Sequence, residues 1–143
     1  DAGTALLLEA VGRPEGRTLD FGCGTGVIAA TLKARGCAVE ACDADALAVA
    51  ATRHNAGVPT HLGDAWHGPP GDYDLVVSNP PIHSGKREDF TVLRELVSGA
   101  RARGCPLMIV AQRQVPVEQL LESVFDRVTL AMENTRFRVW RAE

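Results

Sequence analysis

The four cysteines, Cys23, Cys37, Cys42 and Cys105, form no Cys-x-x-Cys pair, and the start of the chain has no signal-peptide pattern. The expectation is a reducing, cytoplasmic setting without a disulfide framework. The four histidines, His54, His61, His67 and His83, have no ligand-like spacing, so no metal site is expected. No apolar run reaches the roughly 18 residues of a membrane span, so no membrane partner is expected either. A Gly-x-x-x-x-Gly-Lys-Ser/Thr phosphate loop is missing. There is no internal repeat, low-complexity stretch or linker-like composition shift. The chain therefore reads as a single domain spanning residues 1–143. It starts at Asp1 rather than Met, from which we expect upstream sequence to have been removed. No motif sets an oligomeric state.

A hydrophobic fraction of 45% over 143 residues is enough for one full sheet-and-helix core. Net charge is −3 and unevenly spread. Residues 1–83 carry five basic and ten acidic side chains, residues 84–143 ten basic and eight acidic. The second part's slight excess of base suits a phosphate-bearing substrate on one side of the molecule, but equally an ordinary solvated surface. Autonomous tight nucleic-acid binding is not indicated.

Apolar patterning divides the chain into alternating strands and helices. A helix is expected over Ala5–Val11, then a strand over Arg17–Phe21, a helix over Val27–Arg35, a strand over Ala38–Cys42 and a helix over Ala44–Asn55. A weak third strand, Thr60–Leu62, precedes a polar connector. Tyr73–Ser78 and Leu107–Ala111 are strongly apolar strands, with a helix over Phe90–Arg101 between them. Pro116 stands where a helix over Val117–Val124 begins. Val128–Met132 and Arg136–Trp140 follow as two adjacent strands, too close for a crossover helix. The pattern predicts a mostly parallel α/β sheet of seven strands, helices on both faces, closed by an antiparallel C-terminal hairpin.

Two turns stand out. After the first strand comes Gly22-Cys23-Gly24-Thr25-Gly26, a loop that turns tightly and lets backbone N–H groups approach a ligand. Val27 stands where a dinucleotide fingerprint would place its third glycine, which argues against a pyrophosphate grip. Asp20, just before the loop, argues the same way, since a carboxylate there disfavours phosphate and suits a cation. Asp43 ends the second strand, where a carboxylate can accept from both hydroxyls of a ribose; it also precedes Ala44 and a helix, so a helix cap competes. Asp64 follows the third strand and suits an adenine amino group or a turn. Three aspartates at three strand ends, all on one edge of the sheet, favour a site.

The second turn is Asn79-Pro80-Pro81-Ile82-His83, after the fourth strand. Two prolines stiffen it. Asn79 Oδ1 and the Pro80 carbonyl are acceptors suited to the two N–H bonds of an exocyclic amine. The alternative is a rigid surface turn. His83 suits hydrogen bonding to a substrate, a surface position or proton relay. Lys86 and Arg87 suit phosphates or plain solvent exposure. Arg136, Arg138, Phe137 and Val139 alternate as an exposed strand face does, and Trp66 and Trp140 read as core anchors.

Leu19–Ala29 with Asp43 and Asp64 resembles the Rossmann-like methyltransferases that use S-adenosyl-L-methionine. Asn79-Pro80-Pro81 resembles the amino-group methyltransferases within them. Asp1-Ala2-Gly3-Thr4 with Leu6–Leu8, the segment from Asn79 to Gly85, and Thr135–Ala142 resemble the catalytic domain of bacterial small-subunit ribosomal RNA guanine-N2 methyltransferases. The resemblance implies a three-layer Rossmann-like sandwich and RNA methylation during ribosomal RNA processing. The small ribosomal subunit or its RNA would be the partner. It further implies that Asp20 and the loop of Gly22, Cys23, Gly24 and Gly26 hold the methionine part. Asp43 with Ala44 would hold the ribose, and Asp64 with Ala65 the adenine. Asn79 and Pro80 would meet the amine, Asn79 also touching the cofactor, with Pro81, Ile82, His83, Lys86 and Arg87 on the substrate side. Larger family members carry a further domain before the catalytic one. Ile82 departs from the pattern, which has an aromatic residue there, so no ring at that position can stack on a base.

Overall fold

The computed structural model describes residues 1–82 and 87–143, with residues 87–89 as backbone only. The elements follow one another as α1 (Ala2–Val11), β1 (Arg17–Phe21), α2 (Val27–Ala34), β2 (Ala38–Asp43), α3 (Ala46–Ala56), β3 (Thr60–Leu62), a 3-10 turn (Ala65–His67), β4 (Leu75–Ser78), α4 (Arg87–Ala102), β5 (Leu107–Gln112), α5 (Val117–Val124), β6 (Val128–Glu133) and β7 (Phe137–Ala142). The seven strands form one sheet in the order β3-β2-β1-β4-β5-β7-β6. The first five of these pair in parallel, whereas β7 runs antiparallel to both β5 and β6. The expected α/β Rossmann-like sandwich with its antiparallel hairpin is present; β7 inserts between β5 and β6.

Alternation along the strands sorts the core into two layers. Leu19, Phe21, Val76, Leu107 and Ile109 point to the face covered by α4 and α5 through Leu93, Leu96, Val97 and Leu121. Leu75, Val77, Met108 and Val110 point to the opposite face, covered by Leu6–Leu8 of α1, Ile28 and Leu32 of α2, and Ala56 of α3. Strands buried on both faces read as continuous apolar runs, as β4 and β5 do.

Helix boundaries shift for identifiable reasons. α1 starts three residues earlier than expected because the Asp1 carboxylate accepts from Thr4 N at 2.8 Å and caps it. α3 starts at Ala46, capped by Asp45, whose Oδ1 accepts from Leu47 N at 2.9 Å. β4 begins at Leu75, two residues later than expected: just before it Asp74 N still donates to Arg17 O at 2.8 Å, but Arg17 N is met at 2.8 Å by the Asp74 carboxylate in place of a backbone carbonyl.

The sheet's topology reverses between β1 and β4. Ladders run outward to β2 and β3 on one side and to β5 on the other. In open parallel sheets the crevice lies outside the strand C-termini at that switch. The glycine loop follows β1 and the Asn-Pro-Pro turn follows β4, so both open there. Ser78 Oγ donates to Phe21 O at 2.8 Å and ties the two strand ends together.

Candidate active site

The glycine loop is held from two sides. Gly22 N and Cys23 N donate to Cys42 O at 2.9 and 3.0 Å, fastening it to β2. Thr52 Oγ1 of α3 donates to Gly24 O at 3.0 Å, and Asn55 Nδ2 donates to Thr25 O at 2.9 Å. Gly24 has φ +55°, and a Cβ there would meet nothing within 4 Å. Its α-carbon faces open space, which leaves the backbone accessible. Gly26 has φ +90° and lies against Thr52, whose Cα a Cβ would approach to 3.0 Å.

A cleft of about 440 Å³ opens beside this loop. Asp43, Asp64 and Asn79 border it, with Gly22, Gly24, Ala44, Ala65 and Pro81. Asp43 is half-buried. Its Oδ2 accepts from Gly24 N at 3.0 Å and its Oδ1 from Asp45 N at 2.9 Å. With α3 capped by Asp45, Asp43 is left as a strand-end acceptor with lone pairs toward the cleft. Asp64 is exposed and makes no capping bond. Ala65, beside it, is the one described non-glycine residue with positive φ, +47°. That conformation costs about 1–2 kcal/mol in an L-residue and holds the segment's turn at the cleft.

The layer behind the wall consists of Asp20, Cys23 and Gly26, none of which borders the cleft. Asp20 is fully buried. Its Oδ2 accepts from Ala29 N at 3.2 Å, supplying the first turn of α2 with the acceptor that Gly26, the N-cap, cannot. Its Oδ1 has no partner among the described residues. Burial pushes the Asp20 carboxyl up to about 7, and the neighbouring charge of Asp43 adds to the effect. Burial likewise pushes the Cys23 thiol up to about 11, which makes it a packing residue rather than a nucleophile.

A second cavity of about 540 Å³ lies on the other side of the Asn-Pro-Pro turn. Asn79 and Pro81 border both cavities. The second is also lined by Asp1, Gln112, Arg136 and Phe137. Asn79 Nδ2 donates to Thr4 Oγ1 at 2.9 Å and faces the Asp1 carboxylate at 3.3 and 3.5 Å. The Pro80 carbonyl accepts from Ile82 N at 2.8 Å and keeps one lone pair. Ile82 is half-buried and packs with Phe90 against the core. His83 and Lys86 lie outside the described residues, as does the side chain of Arg87.

Sequence reasoning missed several wall residues. Phe21, Cys42, Val92 and Glu95 border the first cleft. Gln112, at the C-terminal end of β5, was findable, because strand C-termini line such sites. Arg136 and Phe137 read as an exposed strand face. The structure instead stacks the Arg136 guanidinium 5.2 Å from the Phe137 ring centre and sets both on the second cavity. Among the described residues no three His, Cys, Asp or Glu side chains are placed to hold a metal, and no helix is long and apolar enough to cross a membrane.

The family pattern described as "Methyltransferase small domain" matches residues 1–141. The chain belongs to the methyltransferase small domain family. A ribosomal RNA small subunit methyltransferase C of Chromohalobacter salexigens is 41% identical over 155 residues, covering 99% of this chain and 46% of the relative. The Idiomarina loihiensis protein of the same name is 38% identical, covering 99% and 45%. Among solved structures, the T. thermophilus 16S rRNA N2 G1207 methyltransferase in complex with AdoMet and guanosine superposes with a TM-score of 0.82 at 24% identity, covering 100% of this chain and 43% of that one. A ribosomal protein L11 methylase from Lactobacillus delbrueckii subsp. bulgaricus gives 0.76 at 19% identity, covering 98% and 76%. This methyltransferase small domain thus spans about half the length of the curated relatives it matches.

Proposed function

We propose that this domain binds S-adenosyl-L-methionine in the 440 Å³ cleft and methylates an exocyclic amine presented from the second cavity, guanine N2 of small-subunit ribosomal RNA. The observation that carries the reading is the charge of the first cleft. Asp43, Asp45, Asp64 and Glu95 border it, and no Lys or Arg does so among the described residues. Such a wall repels phosphates and attracts a cation, which separates a cationic nucleoside from a dinucleotide.

The residues present fit that ligand. Asp43 has free lone pairs for vicinal hydroxyls, Asp64 with the Ala65 backbone meets a base edge, and open Gly24 admits a chain against the loop. The unpartnered Oδ1 of Asp20 lies behind the loop, and a cationic ligand end nearby would favour the charged form of this carboxyl. S-adenosyl-L-methionine, when bound, supplies an electrophilic methyl group on a sulfonium. Asn79 Oδ1 and the remaining lone pair of the Pro80 carbonyl accept the two amine N–H bonds and orient the nitrogen lone pair. Both acceptors oppose the positive charge that grows on that nitrogen. Phe137, with Arg136 stacked on it, supplies the aromatic and cationic surface that Ile82 does not.

The reading is supported by the relatives, whose names describe small-subunit ribosomal RNA methyltransferases, one of them acting at guanine N2. Residues 1–143 then act as one catalytic domain. The test is transfer of tritiated methyl from S-adenosyl-L-methionine to undermethylated small ribosomal subunits, free RNA and cell metabolites in parallel. Label recovered as N2-methylguanosine is expected. Label only in protein or metabolites would assign another amine, and ligand binding without transfer to any acceptor would make the chain a non-catalytic partner subunit.

A further inference from the structure

Asp1-Ala2-Gly3-Thr4 has no part in the site described so far beyond bordering it, yet the structure folds it directly onto Asn79. The Thr4 side chain is buried, and its Oγ1 lies 2.9 Å from Asn79 Nδ2. The Asp1 carboxylate, which caps α1 through Thr4 N, lies 3.3 and 3.5 Å from the same nitrogen. A carboxylate only accepts hydrogen bonds, so the Asn79 atom facing Asp1 must be the NH2. That fixes which end of the amide faces the cavities. Both N–H bonds are directed at α1, and Oδ1, which accepts nothing from the described residues, is the end left for a ligand.

Gly3 allows the close approach. A Cβ there would come within 3.0 Å of the Phe137 ring and 3.3 Å of Asp1 Oδ1. α1 therefore seats against β7, with Asp1 and Thr4 aimed at the turn after β4. Arg35 reinforces this docking: its Nη1 donates to Leu8 O at 2.8 Å and Gly12 O at 2.7 Å, at the far end of the same helix.

We propose that Thr4 and Asp1 are positioning residues that lock the Asn79 amide with Oδ1 toward the acceptor amine. The proposal rests on the reading of Asn79 as the acceptor-facing residue. An unlocked amide would spend part of its time presenting NH2, a donor, to an incoming NH2, which repels it. The lock thus acts on catalysis through Asn79 and not on ligand binding in the first cleft.

Two readouts separate this proposal from the functional reading. The first needs no activity. The chain has three asparagines, so the Asn79 side-chain amide signals in a ¹H–¹⁵N spectrum are assignable by their loss in Asn79→Asp. In the wild type these protons should be shifted and protected from exchange. Thr4→Val should move them and speed their exchange at least about tenfold, whereas Thr4→Ser should preserve them. The second readout is methyl transfer to the acceptor found above. Thr4→Val should lower kcat about tenfold with S-adenosyl-L-methionine affinity unchanged, Thr4→Ser should restore it, and Thr4→Val should add nothing in an Asn79→Asp background. Asp1→Ser keeps the helix cap but withdraws the carboxylate, and should reproduce the loss in part. Asn79 signals unmoved by Thr4→Val, or Thr4→Ser as impaired as Thr4→Val, would overturn the proposal. Absence of methyl transfer by the wild type would remove the functional reading while the spectrum still decides the lock.

Discussion

Replacing Asp20 with asparagine should change how the fold responds to pH. In the folded chain the carboxyl is fully buried and titrates near 7, against an ordinary value of 3.8. Between these values the native state binds a proton that the unfolded chain has released. Stability contributed by the neutral carboxyl is complete below about 4 and is lost as pH rises toward 7, then stays constant. Each pH unit well inside the window is worth about 1.4 kcal/mol and the last one before pH 7 less, so the interval from pH 5 to 7 costs the wild type about 2 kcal/mol. The Asp20→Asn variant keeps the shape and the acceptor for Ala29 N but carries no charge at this position. Urea unfolding of both proteins from pH 5 to pH 8 is the assay. The stability difference should grow by about 2 kcal/mol in favour of Asp20→Asn up to pH 7 and level off above it. A difference independent of pH would show that Asp20 does not titrate in this window.

Other perturbations probe what holds the site in place. A Cβ at Gly99 would lie 2.1 Å from Trp66 Cδ1 and Nε1, and Trp66 packs on Phe21 with ring centres 4.9 Å apart. Gly99→Ala should therefore cost about 1–3 kcal/mol, read as a lower urea midpoint at an unchanged slope; an unchanged midpoint would mean the indole can move aside. Arg35→Ala removes two charge-assisted bonds to the C-terminal carbonyls of α1 and should cost about 1.5–3 kcal/mol in the same assay. A cost below about 0.5 kcal/mol would show α1 to be held by its leucines alone.

The sequence made some features legible and hid others for physical reasons. The apolar runs of β4 and β5 and the glycines that follow α2 and α3, Gly36 and Gly57, are local features, and their elements lie within a few residues of expectation. The insertion of β7 between β5 and β6 is not local. It depends on which edge the last strand finds, and Phe137–Ala142 is equally apolar either way. Asp43 and Asp45 are two residues apart, and either can cap a helix; only the backbone turn decides that Asp45 does, leaving Asp43 for the cleft. The orientation of the Asn79 amide is set by Thr4 and Asp1, more than 70 positions earlier in the chain, and no spacing rule reports that contact. Arg136 and Phe137 read as a solvated strand face because sequence alternation does not reveal that the turn after β4 walls off their side of the sheet.

The central claim is that a cationic nucleoside binds against Asp43 while the amine it serves is met by Asn79. Calorimetric titration with S-adenosyl-L-methionine of the wild type, Asp43→Ala and Asn79→Ala tests it most directly, with the methyl-transfer rate of each measured alongside. The account predicts one site in the wild type, affinity at least about tenfold weaker in Asp43→Ala, and unchanged affinity with abolished transfer in Asn79→Ala. No binding by the wild type, or equal loss of affinity in both variants, would contradict it.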